Sequence, residues 1–432
     1  PQSAEEVERV VLALYGDPSQ TQQANAWLTE FQGSQLAWEF SVALMHSQRM
    51  EVRFFAANTL HQKVKKDVEE LPEHARDTLL ETLFNFLKAP DMCAQQQILT
   101  KICLAAVALS LHFTKEEGKF QSAILQNPSF LNLPLTSALE FLLLLPQEYE
   151  STSFTKKRAD EAQAQFSHML PHIVSLLQVP LTSSEDEGVR AKCLSALSGW
   201  CKFGMSLSNL AQTPLDSLIM DFLQTPTLCK PACEVLEAAV LTDAYPPEPE
   251  AAVHRIVSVV ASLRPLYAQA VHAHNEAYCE GVCGLARSLM IRRPEMLAKG
   301  EGDCLALADF VLEMTAHENR GISETAMEFW DELQTIEMKD RHEFLRTEVY
   351  AKLTEVLALH CAAFPAGDDG DDDEEDDESD SVPIVVVLNK CDLLPGGKDE
   401  RADTARQVEE AVGEALGARD VRAQWVSCAT GE

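Results

Sequence analysis

The sequence predicts an all-α protein built as a stack of helix pairs, and three observations carry that expectation. From residue 7 to residue 364 apolar positions recur at spacings of three and four rather than alternating. Paired segments of this kind return about every 40 residues, the period of helix–turn–helix repeats. Hydrophobic residues make up 46 % of the 432, while only 18 are Gly, which favours a large core with few loops. A single helix pair cannot bury its apolar face alone and must stack on its neighbours, so the expected architecture is a HEAT-repeat-like α-solenoid, a superhelix.

In chain order the pattern predicts helices at 7–15, 22–31, 35–46, 52–68, 74–87 and 95–111, separated by breakers such as Gly16-Asp17-Pro18 and Leu71-Pro72-Glu73. Later pairs are 156–177 with 188–203, 207–223 with 230–241, 251–263 with 268–290, and 305–317 with 322–335. A long helix at 341–363 follows without a partner. The composition then changes: residues 368–380 hold eleven acids in thirteen positions. Such a run repels itself and has nothing apolar to bury, so 367–381 reads as a disordered acidic linker between a helical domain, 1–366, and a third segment, 382–432. That segment switches period, with a strand at 382–388, a helix at 401–416 and a strand at 422–426. Two parallel strands need covering helices and further neighbours, so it reads as an incomplete βαβ fragment of an α/β domain.

The charge balance excludes several functions. Thirty-five Lys and Arg face 68 Asp and Glu, a net of −33, which argues against direct binding of nucleic acid or of anionic membranes. Apolar stretches such as 141–145 fall far short of the roughly 20 residues that span a bilayer, so no membrane insertion is expected. The opening Pro-Gln-Ser-Ala-Glu-Glu carries acids and no basic region, unlike a secretory signal, and the lack of an initial Met leads us to expect more chain upstream. Twelve scattered Cys suit a reducing compartment, cytoplasm or nucleus.

Catalytic and metal chemistry finds no foothold. Cys229 and Cys233, like Cys279 and Cys283, are spaced i, i+4 on helices, so four thiols could meet around a zinc ion; neither pair has the tight loop spacing of structural zinc sites, and buried Cys behaves as a small hydrophobe. His168 and His172 are also i, i+4, but Met169 stands where a zincin has Glu, and both read as structural. Gly204-Met205-Ser206-Leu207-Ser208 lacks the second Gly of a nucleophile elbow. The chain is expected to be no enzyme, with no catalytic residue, metal or cofactor of its own.

An ordered set of short segments carries a resemblance. It comprises Val11-Leu12-Ala13-Leu14-Tyr15, Ala26-Trp27-Leu28, Ala37-Trp38-Glu39, Arg53-Phe54-Phe55-Ala56-Ala57-Asn58-Thr59-Leu60, Leu144-Leu145-Pro146-Gln147-Glu148, Leu197-Ser198-Gly199-Trp200, Glu328-Phe329-Trp330 and Leu357-Ala358-Leu359-His360-Cys361. In order and spacing, residues 1–366 resemble the N-terminal half of a karyopherin-β (importin-β) nuclear transport receptor, nearest the transportin-3 and importin-13 branch. By themselves the segments read as packing: Trp27, Trp38, Trp200 and Trp330 would fill space between stacked helices, and Ala56-Ala57 would let two helices approach closely.

The resemblance implies a binder that shuttles between cytoplasm and nucleus through the nuclear pore, with Ran-GTP, protein cargo and nucleoporins as partners. GTP would enter only with Ran. The Ran-binding region would be about 1–111, on the second helices 22–31, 52–68 and 95–111, whose polar faces hold Gln23, Glu30, Asn58, Gln62, Gln97 and Lys101. The competing reading of each is an ordinary solvated helix face. An acidic solenoid would suit basic or arginine–serine-rich cargo. The run 368–380 could engage a basic partner or be a hydrated linker.

In the last segment, Asn389-Lys390-Cys391-Asp392 follows the first strand and Ser427-Cys428-Ala429-Thr430-Gly431 follows the second. This is similar to the guanine-reading half of a GTPase of the tRNA-modification class. Asp392 would accept from guanine N1 and its amine, Asn389 would meet N7, Ala429 with Ser427 and Cys428 would offer backbone N–H groups to O6, and the stem of Lys390 would lie along the ring. No Gly-x-x-x-x-Gly-Lys-Ser/Thr cradle occurs, since Gly118-Lys119 and Gly397-Lys398 lack both the spacing and the hydroxyl. A receptor half joined to a GTPase at its fourth motif is expected to be a fused or mispredicted gene product; the alternative function is that of a GTP-binding protein.

Overall fold

The structure, a computed structural model, describes residues 3–16, 21–116, 118–243, 248–363, 384–389 and 421–426. The acidic run 368–380 and the expected helix at 401–416 lie outside the described residues. The chain divides into one unit of Pro1–Ile219 with Glu234–Pro246 and a second of Met220–Cys233 with Pro247–Glu432.

In the first unit α1 (Ala4–Gly16) pairs with α2 (Thr21–Gly33), and α3 (Leu36–Leu44) with α4 (Met50–Asp67). α5 (Glu73–Lys88), a single turn α6 (Pro90–Cys93) and α7 (Gln96–His112) make the third repeat. α8 (Lys119–Leu125), α9 (Pro128–Leu131) and α10 (Leu135–Ser151) make the fourth, and α11 (Lys156–Ser183) with α12 (Glu187–Cys201) the fifth. The second helices form a row, because α2 packs on α4, α4 on α7, α7 on α10 and α10 on α12. Ala56 and Ala57, both fully buried on α4, keep that helix thin where α3 and α7 press against it.

Aromatic rings fill the space between repeats. Phe84 of α5, Phe130 of α9 and Phe141 of α10 meet edge-on or tilted at 5.1–5.9 Å, and Phe166 of α11 touches Phe120 at 5.0 Å and Trp200 at 5.7 Å. Each such pair contributes about 0.5–1.5 kcal/mol beyond its area burial. Trp38, Trp200 and Trp330 are buried, whereas Trp27 is half-buried and stacks on Phe31 at 6.3 Å.

α7 amends the expectation that every apolar stretch is short. With the 3-10 turn after it, Gln96–Lys115 is long and apolar enough to cross a membrane, yet 72 % of that stretch is buried in the protein. From Ile102 onward it is almost wholly apolar because α4, α5 and α10 pack against it, while Gln96, Gln97, Thr100 and Lys101 keep a polar face at its start.

α13 (Leu207–Ala211), α14 (Leu215–Phe222) and α15 (Cys229–Leu241) come next, followed in the second unit by α16 (Glu250–Ser262), α17 (Arg264–His272), α18 (Glu276–Arg292) and α19 (Pro294–Lys299). α20 (Cys304–Thr315), α21 (Arg320–Leu333), α22 (Glu343–Arg346) and α23 (Glu348–Ala363) complete the helices. α18 packs on α16 and α21, and α20 on α21 and α23. β1 (Ile384–Asn389) pairs in parallel with β2 (Val421–Val426), Ile384 opposite Val421 and Asn389 opposite Val426.

Three expected helices are broken. The one at 207–223 stops at Gln212, because Pro214 lacks an N–H and disfavours helical backbone at Thr213. The one at 268–290 is two helices, since His274 turns left-handed at φ 53° and the Asn275 side chain caps α18 by accepting from the Tyr278 N–H at 3.2 Å. The one at 341–363 is cut at Thr347. There Arg341, almost fully buried, donates from Nε and Nη2 to the Ile336 carbonyl at 2.9 and 2.7 Å and so holds a loop in place of a first turn. Conversely α11 runs unbroken through Pro171 and Pro180, and His168 and His172, expected to be structural, sit exposed on it.

Gly281 of α18 lies against the Lys230 end of α15: a Cβ there would stand 2.7 Å from the Lys230 Cα, a backbone atom with nowhere to move. Gly281→Ala is therefore expected to destabilise the protein by about 1–3 kcal/mol despite the better helix propensity of Ala. A thermal melt would show it, and an unchanged or raised Tm would refute this account of the contact.

Candidate functional site

The six residues singled out from sequence lie on three successively packed helices. Gln23 and Glu30 are exposed on α2, Asn58 and Gln62 are half-buried one turn apart on α4, and on α7 Gln97 is exposed and Lys101 half-buried. Among the described residues none of the six has a side-chain hydrogen bond or ion pair, so their donors and acceptors face solvent uncommitted. Their neighbours are tied: Gln32 Nε2 of α2 donates to Thr59 Oγ1 of α4 at 3.0 Å, and Thr100 Oγ1 of α7 donates to Glu140 Oε1 of α10 at 2.6 Å.

Beside this face lies an ionic layer that the sequence reading passed over. Glu140, 4 % exposed, also takes Lys192 of α12 on its other oxygen at 2.5 Å. Eight residues along α10, Glu148 is 7 % exposed and meets two residues of α4, Lys65 at 2.6 Å and His61 at 3.8 Å. Burial alone would raise both carboxyls. His61 and Lys65 outweigh it and hold Glu148 at about 2, while Lys192 and Thr100 keep Glu140 below the ordinary range. Lys63, 2 % exposed, pairs with Asp67 at 2.6 Å beneath the Trp38 ring. The one signal available in sequence was Glu140, a carboxylate inside the apolar run 139–145.

Two resembling segments turn out to be halves of one joint. Pro146 lies inside α10 and has no N–H for the carbonyl four residues back, that of Leu142. The Trp200 indole N–H of α12 donates to that oxygen instead, at 2.9 Å. Gly199 makes the approach possible, since a Cβ there would come within 3.1 Å of the Pro146 ring.

Chemistry finds little here. Cys229 and Cys233 bring their sulfurs to 3.9 Å, burial pushes the Cys279 thiol up to about 11, and among the described residues no group of three His, Cys, Asp or Glu could hold a metal. Of the guanine-reading candidates, Asn389 ends β1, while Lys390, Asp392, Ser427, Cys428 and Ala429 lie outside the described residues.

Comparison with known proteins agrees with the helical architecture. Residues 95–236 match the family model of exportin 1-like protein. Transportin MOS14 of Arabidopsis thaliana is 26 % identical over 352 residues, spanning 76 % of this chain and 35 % of its own length. Importin-13 of Homo sapiens is 23 % identical over 398 residues, spanning 85 % of this chain and 40 % of its own. A solved structure, Importin13 in its cytosolic state, superposes with a TM-score of 0.54 at 14 % identity over 85 % of this chain and 42 % of that one. The matches support an importin-β-type N-terminal portion and an all-α solenoid; the relatives are transport receptors, not enzymes. The chain spans well under half the length of these relatives.

Glu148 gives a pH test of the ionic layer. Its folded carboxyl, held at about 2, lies below the ordinary value of about 4.3, so its stabilising effect is full above about pH 4.5 and disappears as pH falls through about 2. Glu148→Gln should lower stability at pH 7 by about 1–3 kcal/mol, and the gap to the parent should narrow between pH 4.5 and 2. Chemical denaturation across that range reads it; a gap independent of pH would rule the ion cluster out as its source.

Proposed function

We propose that residues 1–366 are the N-terminal half of a nuclear transport receptor that binds Ran-GTP through α2, α4 and α7 and carries protein cargo through the nuclear pore. The carrying observation is the ordered similarity to importin-13 and transportin MOS14 along most of this chain, combined with a row of second helices bearing uncommitted polar side chains. Gln23, Glu30, Asn58, Gln62, Gln97 and Lys101 contact Ran in this reading. Cargo is basic or arginine–serine-rich, matching the net charge of −33. Nucleoporins are the remaining partners, the protein shuttles between cytoplasm and nucleus, and no cofactor is bound except the GTP that Ran brings. Residues 367–381 serve as an acidic linker.

The test is capture of the full chain on Ran loaded with a non-hydrolysable GTP analogue, with GDP-loaded Ran in parallel. Retention by the GTP form alone is expected; retention by neither form, or by both equally, overturns the proposal. Combined replacement of Asn58, Gln62, Gln97 and Lys101 by Ala should weaken binding at least about tenfold, or 1.4 kcal/mol, with an unchanged melting curve.

A second reading concerns 382–432 alone and is favoured by the parallel pairing of β1 with β2, the arrangement a βαβ unit requires. In it, Asn389, Lys390 and Asp392 with Ser427, Cys428 and Ala429 form a guanine site without a phosphate cradle. Calorimetric titration of the full chain with GDP and with ADP tests it: weak binding selective for guanine is expected, and equal or no binding refutes it.

A further inference from the structure

We infer that the Pro146 joint is a latched bending point, with Trp200 as the latch. α10 is the only place in the row α4, α7, α10, α12 where a proline interrupts the helix interior, and proline is the commonest cause of a sharp helix bend. Yet α10 is continuous from Leu135 to Ser151. α11 is also continuous through its prolines, but α10 has in addition a replacement donor on the neighbouring helix, whose Trp200 N–H takes over the Leu142 carbonyl left without its helical donor. A buried carbonyl stripped of that bond would open to water or tilt away, so the state of one indole hydrogen bond decides between a straight and a bent α10.

The anchors on either side of the proline make a bend consequential. Glu140, before it, is fastened to α7 and α12 through Thr100 and Lys192. Glu148, after it, is fastened to α4 through Lys65 and His61. Glu150, also after it, meets Lys202 at the end of α12 at 2.6 Å, so releasing the latch lets the end of α10 that carries Glu148 and Glu150 change its angle to the end fastened through Glu140. Gly199 keeps the two helices close enough for the latch to form again, and the ring of Trp200, in edge contact with Phe166 and Phe203 at 5.7 Å each, is held ready to donate. This device stands whatever the face of α4 and α7 binds.

A double-mutant cycle read by amide hydrogen exchange on the full chain tests it. Trp200→Phe keeps a ring but removes the N–H, and exchange in 143–150 is expected to speed up about tenfold while α20 and α21 stay as protected as before. Pro146→Ala restores a backbone N–H at the position that reaches Leu142, so in that background the same Trp200→Phe change should speed exchange in 143–150 less than about threefold. The smaller ring leaves the same gap in both backgrounds, and the cycle removes that effect. Equal acceleration in the two backgrounds would make Trp200 a packing residue only and overturn the inference. Should the chains carrying Trp200→Phe fail to fold, Pro146→Ala alone decides: slower exchange in 143–150 supports the latch, and unchanged or faster exchange refutes it.

Discussion

A carboxylate inside an apolar stack remains ionised only if cations are brought to it, and α10 buries two. Glu140 and Glu148 draw Lys192, Thr100, Lys65 and His61 from three other helices, so the fourth repeat is tied by ion pairs to the second and fifth and by a hydroxyl hydrogen bond to the third. Apolar packing alone fixes how close two helices lie but leaves them free to slide. A carboxylate with a cation at 2.5–2.6 Å fixes register along the helix as well. That is why α4, α7 and α12 hold their polar residues at set positions along the row.

Most of the helical framework was legible because it is written in local periodicity. The helices expected at 22–31, 74–87 and 230–241 agree with α2, α5 and α15 to within a residue or two at each end. What failed was punctuation. The breaks at Gln212, His274 and Thr347 depend on a proline's effect on the residue before it, on a left-handed histidine and on a buried arginine respectively, and only the first of these has a local signal. In the opposite direction Pro171 does not break α11, since a helix packed against its neighbours tolerates one lost hydrogen bond.

The candidate site was legible in part. Helical spacing placed Asn58 with Gln62 and Gln97 with Lys101 one turn apart, and that much follows from residue number alone. Which helices would be neighbours followed from the repeat period. The ionic layer did not, because the partners of Glu148 lie far back along the chain on α4 and nothing in a single sequence marks the buried His61 or the exposed Lys65 as partners of a distant acid. The Leu142–Trp200 bond was hidden for the same reason, although Trp200 and Pro146 both stood in segments noticed for their resemblance.

The joint also gives those two segments one shared physical task. A proline inside a packed helix leaves one carbonyl without its donor, and here a tryptophan supplies it, reaching across because the residue beside it has no side chain. Pro146, Gly199 and Trp200 thus make one physical unit divided between two helices, each useless in this role without the others. A change of Gly199 to a larger residue would act on α10 as surely as a change in α10 itself, because the added Cβ would meet the Pro146 ring at 3.1 Å and carry the indole away from Leu142. Repeats joined by such a unit are stiff while the bond holds and bend at a known residue when it opens, which uniform apolar packing cannot provide.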